Sequence, residues 1–264
     1  MASKASKRTT YRCTECGWQT VKWVGRCGEC QAWGTVEEVG GPVAVRTQAA
    51  SKVANPAKPI REVDATKASI TTTGVGEFDR VLGGGLVPGA VMLVAGEPGI
   101  GKSTLLLDVA ARAARADTKV LYVSGEESAA QVRLRADRTD AVADTLYLAS
   151  ETDLATVLAH IDAVQPTFLV IDSVQTIASA EVDGSAGNVS QVREVAAAII
   201  QVAKARNIST VLVGHVTKDG SIAGPRLLEH LVDVVITFEG ERHSRLRLVR
   251  AVKNLSLIHI SEPT

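Results

Sequence analysis

The residues with the clearest chemical signature form a glycine-rich run that starts at Gly96 and reads GEPGIGKST. The run fits the pattern G-x-x-x-x-G-K-[ST], in which glycines let backbone N–H groups point at phosphates. In such a loop Lys102 contacts the β- and γ-phosphates, and the hydroxyl of Ser103 ligates Mg²⁺. A chance glycine-rich turn is the alternative. We predict nucleotide contacts from these residues: Gly96, Glu97, Pro98, Gly99, Ile100, Gly101, Lys102, Ser103 and Thr104.

Acidic residues follow two other apolar runs. Asp172 ends the run FLVID, where a carboxylate could hold the water shell of the magnesium ion, or could serve only as a turn or helix cap. Glu126 and Glu127 follow the run at residues 120–123. We predict that Glu126 activates the attacking water, while the alternative is that both glutamates only stabilise the N-terminus of the next helix.

All four cysteines lie near the start of the chain, as Cys13-x-x-Cys16 and, ten residues later, Cys27-x-x-Cys30. Two such pairs can supply the four thiolates of a tetrahedral structural zinc site. A redox dithiol is the alternative, although it needs only one pair. The tryptophans and basic residues of this module could bind nucleic acid or could simply pack against the zinc ribbon.

Composition and charge leave several classes of function open. The chain has 264 residues, 45% of them hydrophobic, and 29 basic residues balance 29 acidic ones. These values exclude a wholly disordered chain and give no global indication of a nucleic-acid partner. The apolar runs are far shorter than the roughly 20 residues that cross a bilayer. Residues 1–10 lack the apolar stretch of a secretory signal, so we expect a cytoplasmic protein without a membrane partner.

Short β-branched runs alternate with helical stretches from residue 70 onward, which predicts an α/β fold with a mostly parallel sheet. The predicted strands are residues 91–95, 120–123, 146–149, 168–171, 210–213, 234–238 and 245–252. The predicted helices are residues 102–115, 128–136, 152–164 and 190–206. The predicted domains are a flexible basic arm (1–10), a four-cysteine zinc finger (11–33), a linker (34–68) and an ATPase domain (69–254).

The cysteine module and the segments GEPGIGKST, VSGEES, VIDSVQT and GHVTKDGSIAGPRLLEH together resemble the RadA (Sms) family of bacterial DNA repair proteins. The resemblance covers residues 11–254. It implies a RecA-like P-loop ATPase core, preceded by a zinc ribbon, that forms a homo-hexameric ring. It also implies ATP, Mg²⁺ and Zn²⁺ as cofactors, single-stranded or branched DNA as partner, and branch migration of recombination intermediates. A strand-exchange recombinase is a further implied partner.

The resemblance also implies roles for individual residues. Lys102, Ser103 and Thr104 look like nucleotide-binding residues, Asp172 like the magnesium-side acid, and Glu126 like the catalytic glutamate. His215 looks like a sensor of the γ-phosphate. Without the resemblance, the sequence favours a histidine at the end of a strand that simply hydrogen-bonds to the backbone. The loops at residues 178–190 and 217–225, with Lys218 and Arg226, look like DNA contacts, and ordinary surface loops are the alternative.

The chain departs from the family motif Lys-Asn-Arg-Phe-Gly after Lys253 and Asn254, where Leu255 stands in place of arginine. The resemblance implies that this lysine and arginine act on a neighbouring subunit's nucleotide, and so makes Lys253 a catalytic candidate. Residues 255–264 are interpreted as a non-native tail, and the Lon-like C-terminal domain of the family is expected to be missing. We expect binding of ATP and zinc with poor hydrolysis and weak assembly.

Three functions remain open at this point. The first is a DNA-dependent ATPase of homologous recombination and DNA repair. The second is an ATP-switched binding module with little turnover. The third is a zinc-ribbon regulator whose ATPase fold is only a scaffold.

Overall fold

The structure, a computed structural model, describes residues 10–39, 57–62, 69–216, 227–240 and 246–255. The chain divides into two compact units, Met1–Val63 and Asp64–Thr264. Residues 1–9 of the predicted basic arm and most of the predicted tail lie outside the described residues, and Thr10 of the predicted arm begins the first strand.

The first unit contains a small antiparallel sheet with the order β2-β1-β3. Its strands are β1 (Thr10–Cys13), β2 (Gln19–Thr20) and β3 (Val36–Val39). Strand β3 lies in the stretch predicted as linker, so the cysteine module extends beyond residue 33. The sequence VEEV alone does not predict a strand, because this strand is fixed by its pairing with β1, in which Cys13 lies opposite Val36.

The second unit is built on a seven-stranded sheet with the order β10-β9-β4-β8-β7-β5-β6. All pairings in it are parallel except that of β9 with β10. The α/β fold class and the mostly parallel sheet are therefore confirmed. The strands are β4 (Val91–Gly96), β5 (Val120–Ser124), β6 (Leu146–Ser150), β7 (Phe168–Asp172), β8 (Ser209–His215), β9 (Val234–Gly240) and β10 (Arg247–Asn254).

Five α-helices accompany these strands in the described residues: α1 (Gly76–Leu82), α2 (Lys102–Arg115), α3 (Ala129–Arg138), α4 (Leu154–Val164) and α5 (Val189–Arg206). Local sequence sets several ends. Ser128 and Gln131 form a capping box at the start of α3, and the Asp153 carboxylate accepts the backbone N–H of Thr156 at the start of α4. Helix α1 was not predicted, because its seven residues are too few to show a clear period.

Two apolar layers hold the sheet between the helices. Successive strand side chains point to opposite faces, so Met92 and Val94 pack on one side and Val91 and Leu93 on the other. Helices α1, α2 and α3 cover the first face, and α4 and α5 cover the second. Strands β4, β5 and β7 are buried along their whole length. Burial on both faces explains their continuous apolar sequences.

Among the residues that the structure describes, no helix combines the length and the apolar character needed to span a membrane.

Candidate functional site

The carboxyl ends of four neighbouring parallel strands form the candidate site. Strand β4 ends at Gly96, β8 at His215, β7 at Asp172 and β5 at Ser124. These strands are adjacent in the order β4-β8-β7-β5, and the register places Gly96 beside His215 and Ser124 beside Asp172. Sheets of this type bind ligands at this edge. Motifs that are far apart in the chain therefore meet here.

The glycine-rich loop connects β4 to α2 with a backbone that requires glycine. Gly99 has a φ of 73° and Gly101 a φ of 111°, values that side chains with a Cβ rarely adopt. A Cβ on Gly96 would lie 2.5 Å from the carbonyl oxygen of Phe238. Helix α2 begins at Lys102 without a capping side chain, so its first-turn N–H groups can bind an anion.

Lys102 lies inside this loop and is only 3% exposed. Its Nζ donates to the carbonyl oxygens of Gly96 and Glu97, at 2.9 and 2.8 Å, and lies 3.2 Å from Nδ1 of His215. Burial lowers the pKa of Lys102, and the nearby carboxylates of Asp172 and Glu126 offset part of that effect. The loop thus holds a cation at the position where phosphates would lie.

Asp172 is 4% exposed, and its two carboxylate oxygens have different surroundings. Its Oδ2 accepts a hydrogen bond of 2.6 Å from the Tyr122 hydroxyl. Its Oδ1 is buried and has no hydrogen-bond partner among the described residues. Buried polar atoms are normally paired, so this oxygen fits a group such as a magnesium-bound water. Ser103, half-buried in the first turn of α2, could supply the hydroxyl ligand predicted for that ion.

Glu126 and Glu127 have different surroundings. Oε1 of Glu126 accepts a 2.8 Å hydrogen bond from the Ser173 hydroxyl and lies 2.7 Å from Nε2 of His215. The latter contact is close but lacks the alignment of a hydrogen bond. Contact with His215 is the main cause that lowers the pKa of Glu126 to about 2, with Ser173 adding to it against the opposing effect of burial. Glu127 instead pairs with Arg135.

A cavity of about 310 Å³ adjoins Glu126. Residues lining it include Pro98, Glu126, Ser173, Gln175 and His215. Gln175 donates from Nε2 to the carbonyl of His215 and leaves its buried Oε1 without a partner in the described residues. The cavity has room for a phosphate group and a water molecule. Ser173 and Gln175 are not among the predicted site residues, although both belong to the segment VIDSVQT.

The four cysteines of the first unit converge. All four Sγ atoms lie within 4.8 Å of one another, with 3.7 Å between Cys13 and Cys30 and 3.5 Å between Cys16 and Cys27. Zinc–sulfur bonds of about 2.3 Å in a tetrahedron place sulfurs about 3.8 Å apart, so the cluster fits Zn²⁺. Four thiolates leave no open position for water, which makes the site structural.

The cysteine thiols differ in pKa, and a cation among them would allow all four to ionise. A hydrogen bond with the Thr35 side chain is the main cause that lowers the pKa of Cys13 to about 6. A backbone hydrogen bond from Ala32 lowers the pKa of Cys30, but desolvation and the neighbouring cysteines outweigh it and raise that pKa to about 12. Four thiols at this spacing cannot all ionise without a positive charge among them, which a bound Zn²⁺ supplies.

Some predicted site residues do not meet at this edge. Lys253 lies near the end of β10, beside the start of β9, and therefore at the opposite edge of the sheet from its own chain's phosphate loop. Its Nζ donates to the carbonyl oxygens of Glu229 and Val232, at 2.9 and 2.7 Å. Its action on a neighbouring subunit stays a prediction. Lys218 and Arg226 lie outside the described residues.

The predicted DNA loop at residues 178–190 is described and is anchored by one side chain. Gln191 is buried, and its Nε2 donates to the carbonyl oxygens of Ser179, Val182 and Gly184. Its Oε1 accepts from the backbone N–H of Ser179. The loop therefore has a defined anchor beside the cavity, while its contact with DNA stays a prediction.

Comparisons with known proteins agree with this geometry. Residues 75–221 match the family described as AAA domain, and residues 11–38 match the family described as rubredoxin metal binding domain. The second match, like β3, extends past residue 33. With the four-cysteine cluster, these matches confirm ATP, Mg²⁺ and Zn²⁺ as cofactors.

Relatives that match nearly the whole of this chain are named DNA repair protein RadA. The protein from Mycobacterium tuberculosis is 55% identical over 95% of this chain and 53% of its own length. Those from Mycolicibacterium smegmatis and Streptococcus pyogenes are 54% and 50% identical, over 94% and 95% of this chain and 55% of each relative. The chain thus spans about half the length of these relatives.

A solved structure of a KaiC-like protein from the archaeon Pyrococcus horikoshii has the same fold. Its TM-score is 0.57 at 19% identity, covering 73% of this chain and 91% of the archaeal chain.

Proposed function

The chain belongs to the AAA domain family, and from this premise we propose that it is the zinc-ribbon and ATPase part of a DNA-dependent ATPase of DNA repair and recombination. The relatives are named DNA repair protein RadA, which supports a role in DNA repair. The observation that carries the proposal is the proximity of Lys102, inside the glycine-rich loop, to Asp172, whose Oδ1 has no partner among the described residues, at one sheet edge.

The proposed reaction is hydrolysis of the terminal phosphoanhydride bond. Water attacks the γ-phosphorus, the bond to the β–γ bridging oxygen breaks, and ADP and phosphate leave while the proton of the water passes to the solvent. Loop N–H groups and Lys102 bind the phosphate oxygens and stabilise the charge that develops on them. Ser103 and Asp172 would hold Mg²⁺, which would neutralise part of the charge of the phosphates. Glu126 orients the attacking water within the adjoining cavity.

His215 is the proposed link between nucleotide and the rest of the site. The Lys102 ammonium has no acceptor lone pair, so Nδ1 of His215 accepts their 3.2 Å contact and the ring proton belongs on Nε2, facing Glu126. A γ-phosphate competes for the same donors of Lys102. Its arrival would release His215 from Lys102 and change the contacts of Glu126. The residues after His215, which include Lys218 and Arg226, could pass this change to DNA.

The resemblance to the RadA (Sms) family supports four further properties that we propose for the protein. They are stimulation of ATP hydrolysis by single-stranded or branched DNA, branch migration, assembly into a hexamer, and contact with a strand-exchange recombinase. Because bacterial chromosomal DNA lies in the cytoplasm, we propose that location as well.

ATP turnover with and without single-stranded DNA tests the proposal in wild type, Lys102→Ala and the control Lys119→Ala. Lys119 precedes β5 and therefore lies at the opposite sheet edge. We expect DNA to stimulate the wild type and the control, and Lys102→Ala to lose turnover by about 10² to 10³-fold, because a charge-stabilising donor is removed. Equal turnover in all three proteins would rule the proposal out.

An ATP-switched binding module is the second candidate, and one observation favours it. The pKa of Glu126 is lowered to about 2, chiefly by His215, and a carboxylate that weakly basic removes protons poorly. Nucleotide-dependent binding of a partner without measurable turnover in the same assay would favour this candidate over the ATPase.

A further inference from the structure

Tyr122 is a buried tyrosine that lies behind the nucleotide site rather than in it. It lies on β5, is 0% exposed, and its hydroxyl is 2.6 Å from Oδ2 of Asp172 on β7. The register explains the contact. Asp172 lies opposite Ser124, and Tyr122 shares the face of Ser124 because side chains alternate along a strand. A long aromatic side chain spans that diagonal.

The direction of this hydrogen bond follows from the two groups. A phenol hydroxyl carries a proton that it can donate, whereas a carboxylate oxygen offers only lone pairs. The hydroxyl therefore donates and the carboxylate oxygen accepts. With Oδ2 taken, Oδ1 is the carboxylate oxygen that has no protein partner in the described residues.

We propose that Tyr122 is a positioning residue for the magnesium site. Its hydroxyl holds the Asp172 carboxylate in one orientation and so directs Oδ1 toward the metal side. The inference rests on the proposed function, because it assumes that Asp172 serves a magnesium ion. Groups that orient a metal-side carboxylate from behind commonly set the metal affinity without contacting the metal.

A purely structural role is the competing explanation, in which Asp172 merely satisfies a buried hydroxyl. The packing allows the two to be separated. The ring of Tyr122 belongs to an apolar cluster with Leu107, Val132 and Ala136, so phenylalanine would keep the ring contacts and lose only the hydroxyl. A structural role then predicts altered stability with an unaltered response to magnesium.

The test is ADP binding to the full chain by calorimetry, first in EDTA and then across a magnesium titration. We expect Tyr122→Phe to need about tenfold more Mg²⁺ than wild type for half of the magnesium-dependent gain in affinity. Its affinity for ADP in EDTA should equal that of wild type. The control is Tyr147→Phe, which removes a hydroxyl from β6, where the exposed ring contacts Lys119. This variant should match wild type throughout.

Asp172→Asn completes a double-mutant cycle. If Tyr122 acts through Asp172, adding Tyr122→Phe to Asp172→Asn causes no further shift in the magnesium titration. Additive shifts, a wild-type magnesium response in Tyr122→Phe, or failure of Tyr122→Phe to fold would each overturn the inference. The proposed function fails separately, through a wild type that does not bind ADP or binds it equally with and without magnesium.

Discussion

At the scale of single residues, the site separates two neighbouring glutamates by their partners. Glu126 lies against Ser173 and His215 beside the phosphate loop, whereas Glu127 pairs with Arg135. The backbone N–H of Glu127 also donates to the hydroxyl of Ser124, which fixes the turn between them. This difference favours Glu126 as the candidate for acting on a water molecule, because the Glu127 carboxylate is paired with Arg135 of α3.

Replacing each glutamate by glutamine tests this separation. We expect Glu126→Gln to lower ATP turnover by about 10² to 10⁴-fold with ATP binding retained, because the amide cannot orient or deprotonate water in the same way. Glu127→Gln, the matched control, should keep turnover within a few-fold of wild type. Steady-state turnover and ATP affinity check both. The opposite ranking would assign the catalytic role to Glu127.

The lowered pKa of Glu126 also predicts a dependence of folding stability on pH. Its pKa falls from 4.5 to about 2, chiefly through His215, so the folded protein binds fewer protons than the unfolded chain in that range. The contribution to stability is complete above about pH 4.5 and is lost as the pH falls toward about 2. Urea unfolding of wild type and Glu126→Gln across this window measures it. We expect the free energy of unfolding to fall less on acidification in the variant than in wild type. Equal decreases would mean that His215 does not stabilise the Glu126 carboxylate.

At the scale of elements, the first unit depends on metal more than on a core. Among its described residues, the buried apolar cluster consists of Cys13, Cys27 and Val36, with a few half-buried neighbours such as Trp18. So small a cluster cannot stabilise a fold of this size by burial alone. The short strands β1, β2 and β3 add few hydrogen bonds. Metal–thiolate bonds would supply the missing free energy.

Zinc removal should therefore unfold the first unit and spare the helices of the second. All three tryptophans, Trp18, Trp23 and Trp33, lie in the cysteine module, so tryptophan emission reports on that module alone. We expect a strong chelator, or Cys13→Ser, to shift the emission to the red. Helical circular dichroism should persist, because α1 to α5 lie within residues 76–206. Unchanged emission after complete zinc removal would argue against a structural site.

At the scale of the whole molecule, the net charge is zero, and assembly would depend on particular residues of an outer strand. The 29 basic and 29 acidic residues cancel, so any attraction to DNA would have to come from local clusters of charge rather than from net charge. Strand β10 is an outer strand of the sheet and carries Lys253, whose ammonium is held by backbone carbonyls of its own chain. To reach a neighbouring subunit's nucleotide, Lys253 would have to exchange these bonds.

The departure from the family motif at Leu255 predicts weak assembly and slow turnover of this chain. Restoring the motif by Leu255→Arg, Ser256→Phe and Leu257→Gly should raise both, because an arginine could then stabilise charge on a neighbour's phosphates. Light scattering with ATP and Mg²⁺ measures the mass, and a turnover assay measures the rate. Combining the same changes with Lys102→Ala controls for effects unrelated to nucleotide. If neither the mass nor the turnover rate increases, the missing motif is not the cause of weak assembly and slow turnover.

The glycine-rich loop, the four-cysteine cluster and the alternation of strands and helices could be predicted from the amino-acid sequence alone. Each of these is written in contiguous residues, because turn chemistry, ligand spacing and apolar periodicity act over short stretches. The tertiary structure decided the partners across strands. It brought Tyr122 to Asp172 and His215 between Lys102 and Glu126, and it extended the cysteine module to β3. Such contacts join residues that are distant in sequence, and they depend on strand order and register, which no local pattern encodes.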